Sequence, residues 1–142
     1  MLSTISKSFR WEMGHRLPFH TEGCQNIHGH SYEMIIELEG EKNNLGMLLD
    51  YNDLKAAVKP VLDKWDHAFL VDEKDELLKS FLKENNLKHV LFKNYTTAEH
   101  IAHYFCAVLK NILTTHKNLK RIKVTIKETV SSVATAELLM HH

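Results

Sequence analysis

Two segments near the start of the chain alternate strictly between apolar and polar side chains. The first spans Lys7 to His15 and the second spans His28 to Leu38. Because side chains two residues apart lie on the same side of a strand, each segment predicts a strand with one buried face. Residues 16–27 between them contain Pro18 and Gly23, which are typical of a loop. The two strands are therefore expected to form a hairpin.

A helical periodicity follows further along the chain. Apolar residues recur at helical spacing from Asp53 to Asp66, and Pro60 inside this segment is expected to kink or shorten the helix. Residues 75–84 predict a second, short helix. Thr96 and Glu99 have the spacing of a capping box, so a long amphipathic helix is expected to follow them.

The remaining patterned segments predict strands. His89 to Phe92 predicts a short strand, Lys120 to Glu128 alternates strictly, and Val133 to Met140 predicts a last strand. Hairpins at both ends of the chain with helices between them indicate an α+β fold, in which the helices cover one face of an antiparallel sheet. No repeat, linker or low-complexity segment divides the chain, so residues 1–142 are expected to form a single domain.

Charge and composition argue against several classes of function. The 18 basic and 18 acidic residues balance to a formal net charge of zero, so no global basic field attracts nucleic acid. No apolar run approaches the roughly 18 residues of a membrane span, and Met1 to Arg10 is too polar for a signal peptide. Cys24 lies in a polar loop and Cys106 in an apolar helix pattern, so no disulfide framework is expected. A cytoplasmic location is expected instead.

Three histidines lie on the same side as the apolar residues of the two predicted N-terminal strands. His15 continues the apolar face of the first strand, and His28 and His30 precede that of the second. The hairpin would bring the three imidazoles together, and three protein ligands with an open fourth position are typical of catalytic zinc. Two alternatives remain open: hydrogen-bonded core histidines, and a closed structural site in which Cys24 is the fourth ligand.

Two further positions are candidates for chemistry. Glu128 continues the apolar parity of its strand, where a carboxylate must be paired, protonated or bound to a ligand. The alternative is a strand-end glutamate that has reached solvent. Asp66 and His67 close the first predicted helix, where the carboxylate could orient the imidazole or raise its basicity. The alternative for this pair is an ordinary exposed helix end.

Six segments together resemble the 6-pyruvoyl-tetrahydropterin synthase family, which includes the 6-carboxy-tetrahydropterin synthases of queuosine biosynthesis. In chain order they are FRWEMGHRL from Phe9, CQNIHGHSY from Cys24, LDYNDL from Leu49, WDHAFL from Trp65, TAEHI from Thr97 and KET from Lys127. The HGHSY element with a histidine and a cysteine upstream is the specific part of the resemblance, which covers most of the chain.

The resemblance implies a tunnelling fold: an antiparallel four-stranded sheet with helices packed on one face, whose subunits join their sheets into a β-barrel. Family members are usually trimers stacked into hexamers, so a homo-oligomer is expected. A Zn2+ cofactor and a small-molecule substrate, 7,8-dihydroneopterin triphosphate, are implied as well. The implied site residues fall into three groups: metal ligands His15, His28 and His30; catalytic residues Cys24, Asp66, His67 and Glu128; and substrate contacts Glu128, Thr97 and Thr129.

The spacing of Cys24, four residues before His28, resembles the carboxy-tetrahydropterin branch. The expected activity is therefore that of a zinc-dependent 6-carboxy-tetrahydropterin synthase, with Cys24 as the proton-abstracting thiolate and zinc as a Lewis acid. A pyruvoyl-forming synthase and a non-catalytic, metal-stabilised module are the alternatives. Arg16 and nearby lysines are candidates for binding the triphosphate.

Overall fold

The computed structural model describes residues 1–141 of the chain, and His142 lies outside the described range. Within that range the chain forms six strands: β1 (Ser3–His15), β2 (His28–Gly40), β3 (Ala68–Asp72), β4 (His89–Phe92), β5 (Leu119–Lys127) and β6 (Val133–Leu139). Among the same residues it forms three helices: α1 (Tyr51–Trp65), α2 (Glu76–Glu84) and α3 (Ala98–Ile112).

The strands build one open sheet in the order β4-β3-β1-β2-β5-β6. β1 and β2 pair antiparallel over their full length, from Ser3 opposite Gly40 to His15 opposite His28. β5 pairs with β2 and β6 pairs with β5, both antiparallel, so the four strands predicted at the two ends of the chain lie side by side. The predicted α+β class is confirmed.

β3 has no counterpart among the predicted strands, and with β4 it extends the sheet from four strands to six. Both pair in parallel: β3 joins the end of β1, with Ala68 beside Met13, and β4 joins β3. The β3 sequence, AFLVD, is short and does not alternate. A strand that is covered on both faces shows no alternation of apolar and polar residues, so periodicity does not reveal it.

The two long helices cover one face of the sheet, as predicted. Leu54 of α1 and Phe105 of α3 belong to one core cluster with the buried side chains of the central strands. The short helix α2 is the exception. Its Leu82 belongs to a separate cluster with Val71 of β3. Val71 is next to the core residue Leu70 in the strand, so the two side chains lie on opposite faces of the sheet. α2 therefore covers the other face at the β3–β4 edge.

Two helix details differ from the prediction. α1 runs through Pro60 to Trp65, so the proline does not shorten it. Pro60 lies on the exposed side of α1, and the helix continues past it without the hydrogen bond that a proline, having no N–H, cannot donate. α3 begins after Thr97 rather than after Thr96, because the N–H of His100 donates to the Thr97 hydroxyl. Thr96 is turned into the protein instead and is 1% exposed.

The two cysteines lie in different surroundings, and both are free thiols. Cys106 is buried on α3, where its thiol donates to the carbonyl of Ala136 at 3.5 Å. Cys24 is partly exposed in the loop between β1 and β2. No helix within residues 1–141 has both the length and the apolar character needed to cross a membrane.

Candidate metal centre

Three imidazoles meet where β1 ends and β2 begins. The antiparallel register sets His15 opposite His28, and His30 follows two positions along β2 on the same side. The ring centroid of His15 lies 4.7 Å from that of His28 and 5.2 Å from that of His30. One nitrogen from each ring falls within 4.8 Å of the other two, so the three rings could hold a single metal ion.

His15 is the most buried of the three, and its two ring nitrogens have different surroundings. Nδ1 lies 2.8 Å from the carbonyl oxygen of Thr96. Because a carbonyl oxygen only accepts, Nδ1 carries the proton and Nε2 carries a lone pair. Burial lowers the pKa of His15 to about 4, so the ring is neutral at pH 7.

The lone pair of His15 distinguishes a metal site from a set of core histidines. Nε2 is buried and has no hydrogen-bond partner among the described residues. A buried polar atom left without a partner costs about 1–3 kcal/mol, and a metal ion would satisfy it. The alternative of hydrogen-bonded core histidines needs a partner at Nε2 that the described part of the chain does not provide.

His28 repeats this arrangement. Its Nδ1 lies 2.8 Å from the carbonyl oxygen of Asn26, which again leaves the lone pair on Nε2. Histidines that bind metals usually donate their second N–H to a carbonyl or carboxylate, and this contact fixes the orientation of the ring. The carbonyls of Thr96 and Asn26 have that relation to His15 and His28. Sequence reasoning does not find them, because backbone atoms make the contacts.

His30 stands beside Glu128, the residue just beyond the end of β5. Nε2 of His30 lies 4.0 Å from Oε2 of Glu128, which is too long for a direct hydrogen bond. Burial, together with the neighbouring His28, lowers the pKa of His30. Burial and repulsion from Glu99 raise the pKa of Glu128. The carboxyl group therefore borders the histidine cluster without being tied to it.

Tyr32 is a neighbour of the cluster that the predicted set omits. It follows His30 on the same side of β2, and the two ring centroids are 5.5 Å apart. Its hydroxyl is buried and has no hydrogen-bond partner among the described residues. Burial and the charge of Glu128 raise the pKa of Tyr32, which keeps the hydroxyl protonated. The sequence signal for Tyr32 is its position two residues after His30, which puts both side chains on the same side of β2.

Cys24 lies in the loop between the two histidine-bearing strands. Leu17 donates its N–H to the Cys24 carbonyl at 2.7 Å, and the Cys24 N–H donates to Nδ1 of His20 at 3.3 Å. The thiol is not among the ligand atoms that lie within 4.8 Å of one another. In this arrangement of residues 1–141, the closed site with sulfur as a fourth ligand is not formed.

Asp66 and His67 contact each other where α1 ends. Nδ1 of His67 lies 3.0 Å from Oδ1 of Asp66. The same oxygen accepts the N–H of Glu12 at 3.0 Å, and this bond is the main reason that the pKa of Asp66 is lowered. The His67 ring is 76% exposed and lines a depression with Glu12, Ser31 and His30. Among residues 1–141, no hydrogen bond or ion pair joins Asp66 or His67 to the three histidines.

The hydroxyls of Thr97 and Thr129 take part in local structure. Thr97 caps α3 by accepting the N–H of His100 at 3.2 Å. Thr129 is exposed in the turn after β5, where it accepts the N–H of Ser131 at 3.3 Å. Contact of either threonine with a substrate stays a prediction.

Arg16, a candidate for binding triphosphate, is engaged by a carboxylate. Its Nε and Nη2 donate to the two oxygens of Asp75, each at 2.6 Å. The Asp75 side chain is only 4% exposed, and its hydrogen bond with the guanidinium holds its pKa below the ordinary value. This ion pair is a structural feature that sequence reasoning misses, because its partners are far apart in the chain.

The family of the chain follows from the sequence as a whole. The family model described as 6-pyruvoyl tetrahydropterin synthase matches residues 4–138. The chain belongs to the 6-pyruvoyl tetrahydropterin synthase family. The resemblance carried by the HGHSY element and its companion segments is confirmed, and the family is one of synthases that act on pterins.

Two curated relatives are named 6-carboxy-5,6,7,8-tetrahydropterin synthase. The protein from Haemophilus influenzae is 39% identical over 115 residues, which cover 75% of this chain and 82% of the relative. The protein from Aquifex aeolicus is 31% identical over 154 residues, covering 92% of this chain and 94% of the relative. The similarity therefore extends far beyond the histidine motif.

A solved structure supports the fold. The crystal structure of 6-pyruvoyl tetrahydropterin synthase from Plasmodium vivax matches with a TM-score of 0.77, covering 98% of this chain and 99% of that chain. Its 19% identity limits the comparison to the fold. The predicted tunnelling fold is confirmed for the subunit, whose sheet is open rather than closed into a barrel.

Proposed function

We propose that this chain is a zinc-dependent 6-carboxy-5,6,7,8-tetrahydropterin synthase that acts on 7,8-dihydroneopterin triphosphate in queuosine (7-deazapurine) biosynthesis. The names of the Haemophilus influenzae and Aquifex aeolicus relatives support this reaction. The observation that carries the metal dependence is the buried, unpartnered Nε2 of His15 within the three-imidazole cluster. The two free cysteines support the proposed cytoplasmic location.

The proposed reaction converts the substrate and water into 6-carboxy-tetrahydropterin, acetaldehyde and triphosphate. The side-chain carbon next to the ring is oxidised to a carboxyl group, while the ring and the released two-carbon fragment are reduced. The redox change is internal, so no external oxidant or reductant is needed. The protein has to supply proton transfer and stabilisation of developing negative charge.

In this proposal His15, His28 and His30 hold the zinc. Bound there, zinc supplies Lewis-acid stabilisation of the oxygens on the substrate side chain. The carbonyls of Thr96 and Asn26 hold two of the rings in the tautomer that leaves Nε2 free. The low pKa of His15 means that no proton has to leave this ring at neutral pH before a metal binds.

Cys24 and Glu128 act on the substrate itself. Cys24 takes a proton from the substrate side chain, a role that fits a thiol in the loop between the two zinc-binding strands. Glu128 accepts hydrogen bonds from the guanidine-like edge of the pterin ring. Burial and the nearby Glu99 raise the pKa of Glu128, and N–H donors from the ring would lower it again by stabilising the carboxylate.

Asp66 and His67 complete the proposed catalytic set as a dyad that assists proton transfer, and their position supports a proposal about assembly. Among the described residues of one chain, no hydrogen bond or ion pair joins Asp66 or His67 to the histidine cluster, and the His67 ring is 76% exposed. We infer that a complete site forms between subunits of a homotrimer or homohexamer. The sheets would join through their open edges, β4 and β6, into a barrel.

Product analysis tests the proposed function. Zinc-loaded protein incubated with 7,8-dihydroneopterin triphosphate is expected to release acetaldehyde and triphosphate and to form 6-carboxy-tetrahydropterin, as identified by mass spectrometry. Chelation should stop turnover, zinc should restore it, and Cys24→Ala should abolish it. If chelation and Cys24→Ala both left turnover intact, the proposal would be wrong.

Two other outcomes identify the alternatives. The matching family model carries the name of the pyruvoyl-forming enzyme. A product that retains the side chain as a pyruvoyl group would therefore identify a 6-pyruvoyl-tetrahydropterin synthase. A protein that retains zinc and turns over no substrate would favour the non-catalytic, metal-stabilised module.

A further inference from the structure

Arg16, the residue after the first histidine, joins three segments around the candidate site. Its side chain is 18% exposed and donates to both carboxylate oxygens of Asp75 at 2.6 Å. Its Nη1 donates to the carbonyl of Gln25, the residue after Cys24, at 3.3 Å. Its own carbonyl accepts the hydroxyl of Thr96 at 3.3 Å. Besides the bond from the Leu17 N–H to the Cys24 carbonyl, the Arg16 guanidinium therefore links the loop that carries Cys24 to Asp75.

Asp75 is a rigid anchor for this link. It is the N-cap of α2, where its Oδ1 accepts the N–H of Leu78 at 3.3 Å. Its side chain is 4% exposed, so it has little freedom to move. A bidentate contact between guanidinium and carboxylate fixes the relative orientation of both groups, and the ammonium group of a lysine does not reproduce it.

The same contacts argue against a role for Arg16 in anion binding. Its Nε, Nη1 and Nη2 atoms already donate to Asp75 and Gln25, which occupies three of the five guanidinium N–H groups. The buried carboxylate of Asp75 also neutralises the charge that a triphosphate would require.

We propose that Arg16 is a positioning residue, which holds the loop that carries Cys24 through Asp75 and the Gln25 carbonyl, and that it is not a ligand of the triphosphate. The inference rests on the proposed catalytic role of Cys24 and goes further by assigning what sets the place of the thiol. A misplacement of about 1 Å can cost about 100-fold in rate. Loosening the loop should therefore lower kcat far more than it raises KM.

Two substitutions in the zinc-loaded full chain test the proposal. Arg16→Lys keeps the positive charge and removes the bidentate contact. Asp75→Asn removes the carboxylate and keeps a residue that caps helices well. Arg10→Lys is the matched control, because Arg10 lies on β1, the strand that ends just before Arg16, but its side chain is 80% exposed and pairs with Glu33.

The first readout needs no substrate: it is the rate at which iodoacetamide alkylates Cys24, followed by mass spectrometry. Cys106 serves as the internal unreactive thiol, since it is only 3% exposed. Arg16→Lys and Asp75→Asn should each raise the alkylation rate about fivefold or more, because the loop opens more often. They should lower kcat about 10- to 100-fold with KM changed less than about threefold. Arg10→Lys should behave as the wild type.

Wild-type alkylation rates in both variants would overturn the proposal. So would a KM that rises about tenfold in Arg16→Lys and not in Asp75→Asn, since that pattern identifies an anion-binding arginine. If the Arg16→Lys variant loses zinc and no longer unfolds cooperatively, the alkylation rate and kcat of Asp75→Asn alone test the proposal. If the wild-type chain forms no product, the proposed function fails, and the alkylation rates still decide whether Arg16 positions the Cys24 loop.

Discussion

The Nδ1–H group of His15 donates to the backbone carbonyl of Thr96 at 2.8 Å, although the two residues are 81 positions apart in the chain. The contact ties the end of β1 to the start of α3. It also selects the tautomer of His15 whose buried Nε2 lone pair is left free beside His28 and His30. The packing of a helix against a strand thus determines which nitrogen could bind a metal.

Loss of a ligand imidazole is expected to remove the metal. His15→Gln and His28→Gln retain a polar side chain but delete the ring, so zinc affinity should fall at least about 100-fold. Competition with a chromophoric chelator measures the change. His103→Gln, on the exposed side of α3, should bind zinc as the wild type does. Unchanged affinity in both ligand variants would contradict the site.

Removal of the Tyr32 hydroxyl is expected to stabilise the metal-free protein. Tyr32→Phe deletes a buried hydroxyl without a partner among the described residues, so the free energy of unfolding should rise by about 1 kcal/mol. Tyr104→Phe is the control, because Tyr104 is only partly buried and its variant should change stability by less than about 0.5 kcal/mol. Denaturant unfolding measures both. A destabilised Tyr32→Phe variant would mean that the hydroxyl has a partner.

The backbone of His67 offers a separate test of its proposed role in proton transfer. His67 and Asn86 occupy the same position, one residue beyond the C-caps of α1 and α2, with φ of 59° and 53°. Positive φ favours glycine, so His67→Gly should raise the free energy of unfolding by about 0.5–1 kcal/mol. The same variant should lower kcat at least about 100-fold.

Asn86→Gly is the matched control for this experiment. Asparagine tolerates positive φ better than histidine, so the gain in stability should be smaller, and kcat should stay at the wild-type value. Product assays and denaturant unfolding give both quantities. A His67→Gly variant with wild-type kcat would remove His67 from the proposed mechanism.

The histidine cluster is predictable from sequence because it depends on strand parity and on one hairpin. His15, His28 and His30 share the apolar parity of β1 and β2, and the register sets the first two opposite each other. The alternation of side chains along β5 likewise predicts that Glu128 lies on this side of the sheet, and its Oε2 is 4.0 Å from Nε2 of His30. Such inferences need only the two-residue repeat of a strand and the pairing of neighbouring strands.

Other features depend on contacts that periodicity does not encode. The Thr96 carbonyl and the Asp75 carboxylate reach β1 from distant segments, and nothing in their local sequence identifies their partners. β3 lacks alternation because both of its faces are covered. Asp66 and His67 are adjacent in the chain, but the positions of their side chains depend on how α1 leads into β3.

The ion pair between Asp75 and Arg16 predicts a pH dependence of stability. The guanidinium holds the pKa of Asp75 below the ordinary value of 3.8, so the carboxylate stabilises the fold above that pH. This contribution is lost as pH falls below 3.8 and through the lower pKa of the folded state. Asp75→Asn should therefore be about 2 kcal/mol less stable at pH 7, with a difference from wild type that shrinks under acid conditions.

Asp63→Asn is the control for the pH series. Asp63 pairs with Lys59 at the surface, where both side chains are about 60% exposed, so its loss should change stability by less than about 0.5 kcal/mol. Denaturant unfolding across the acid range measures both variants. A constant difference between Asp75→Asn and the wild type from pH 7 to pH 2 would contradict the linkage.

X-ray absorption at the zinc edge tests the central claim most directly, namely that three imidazoles hold a zinc ion whose fourth position is open to substrate. For purified zinc-loaded protein, we expect three nitrogen neighbours and one oxygen neighbour at about 2.0 Å, and no sulfur. The oxygen neighbour should change when 7,8-dihydroneopterin triphosphate is added. A sulfur neighbour at about 2.3 Å would contradict the claim, because Cys24 would then close the site.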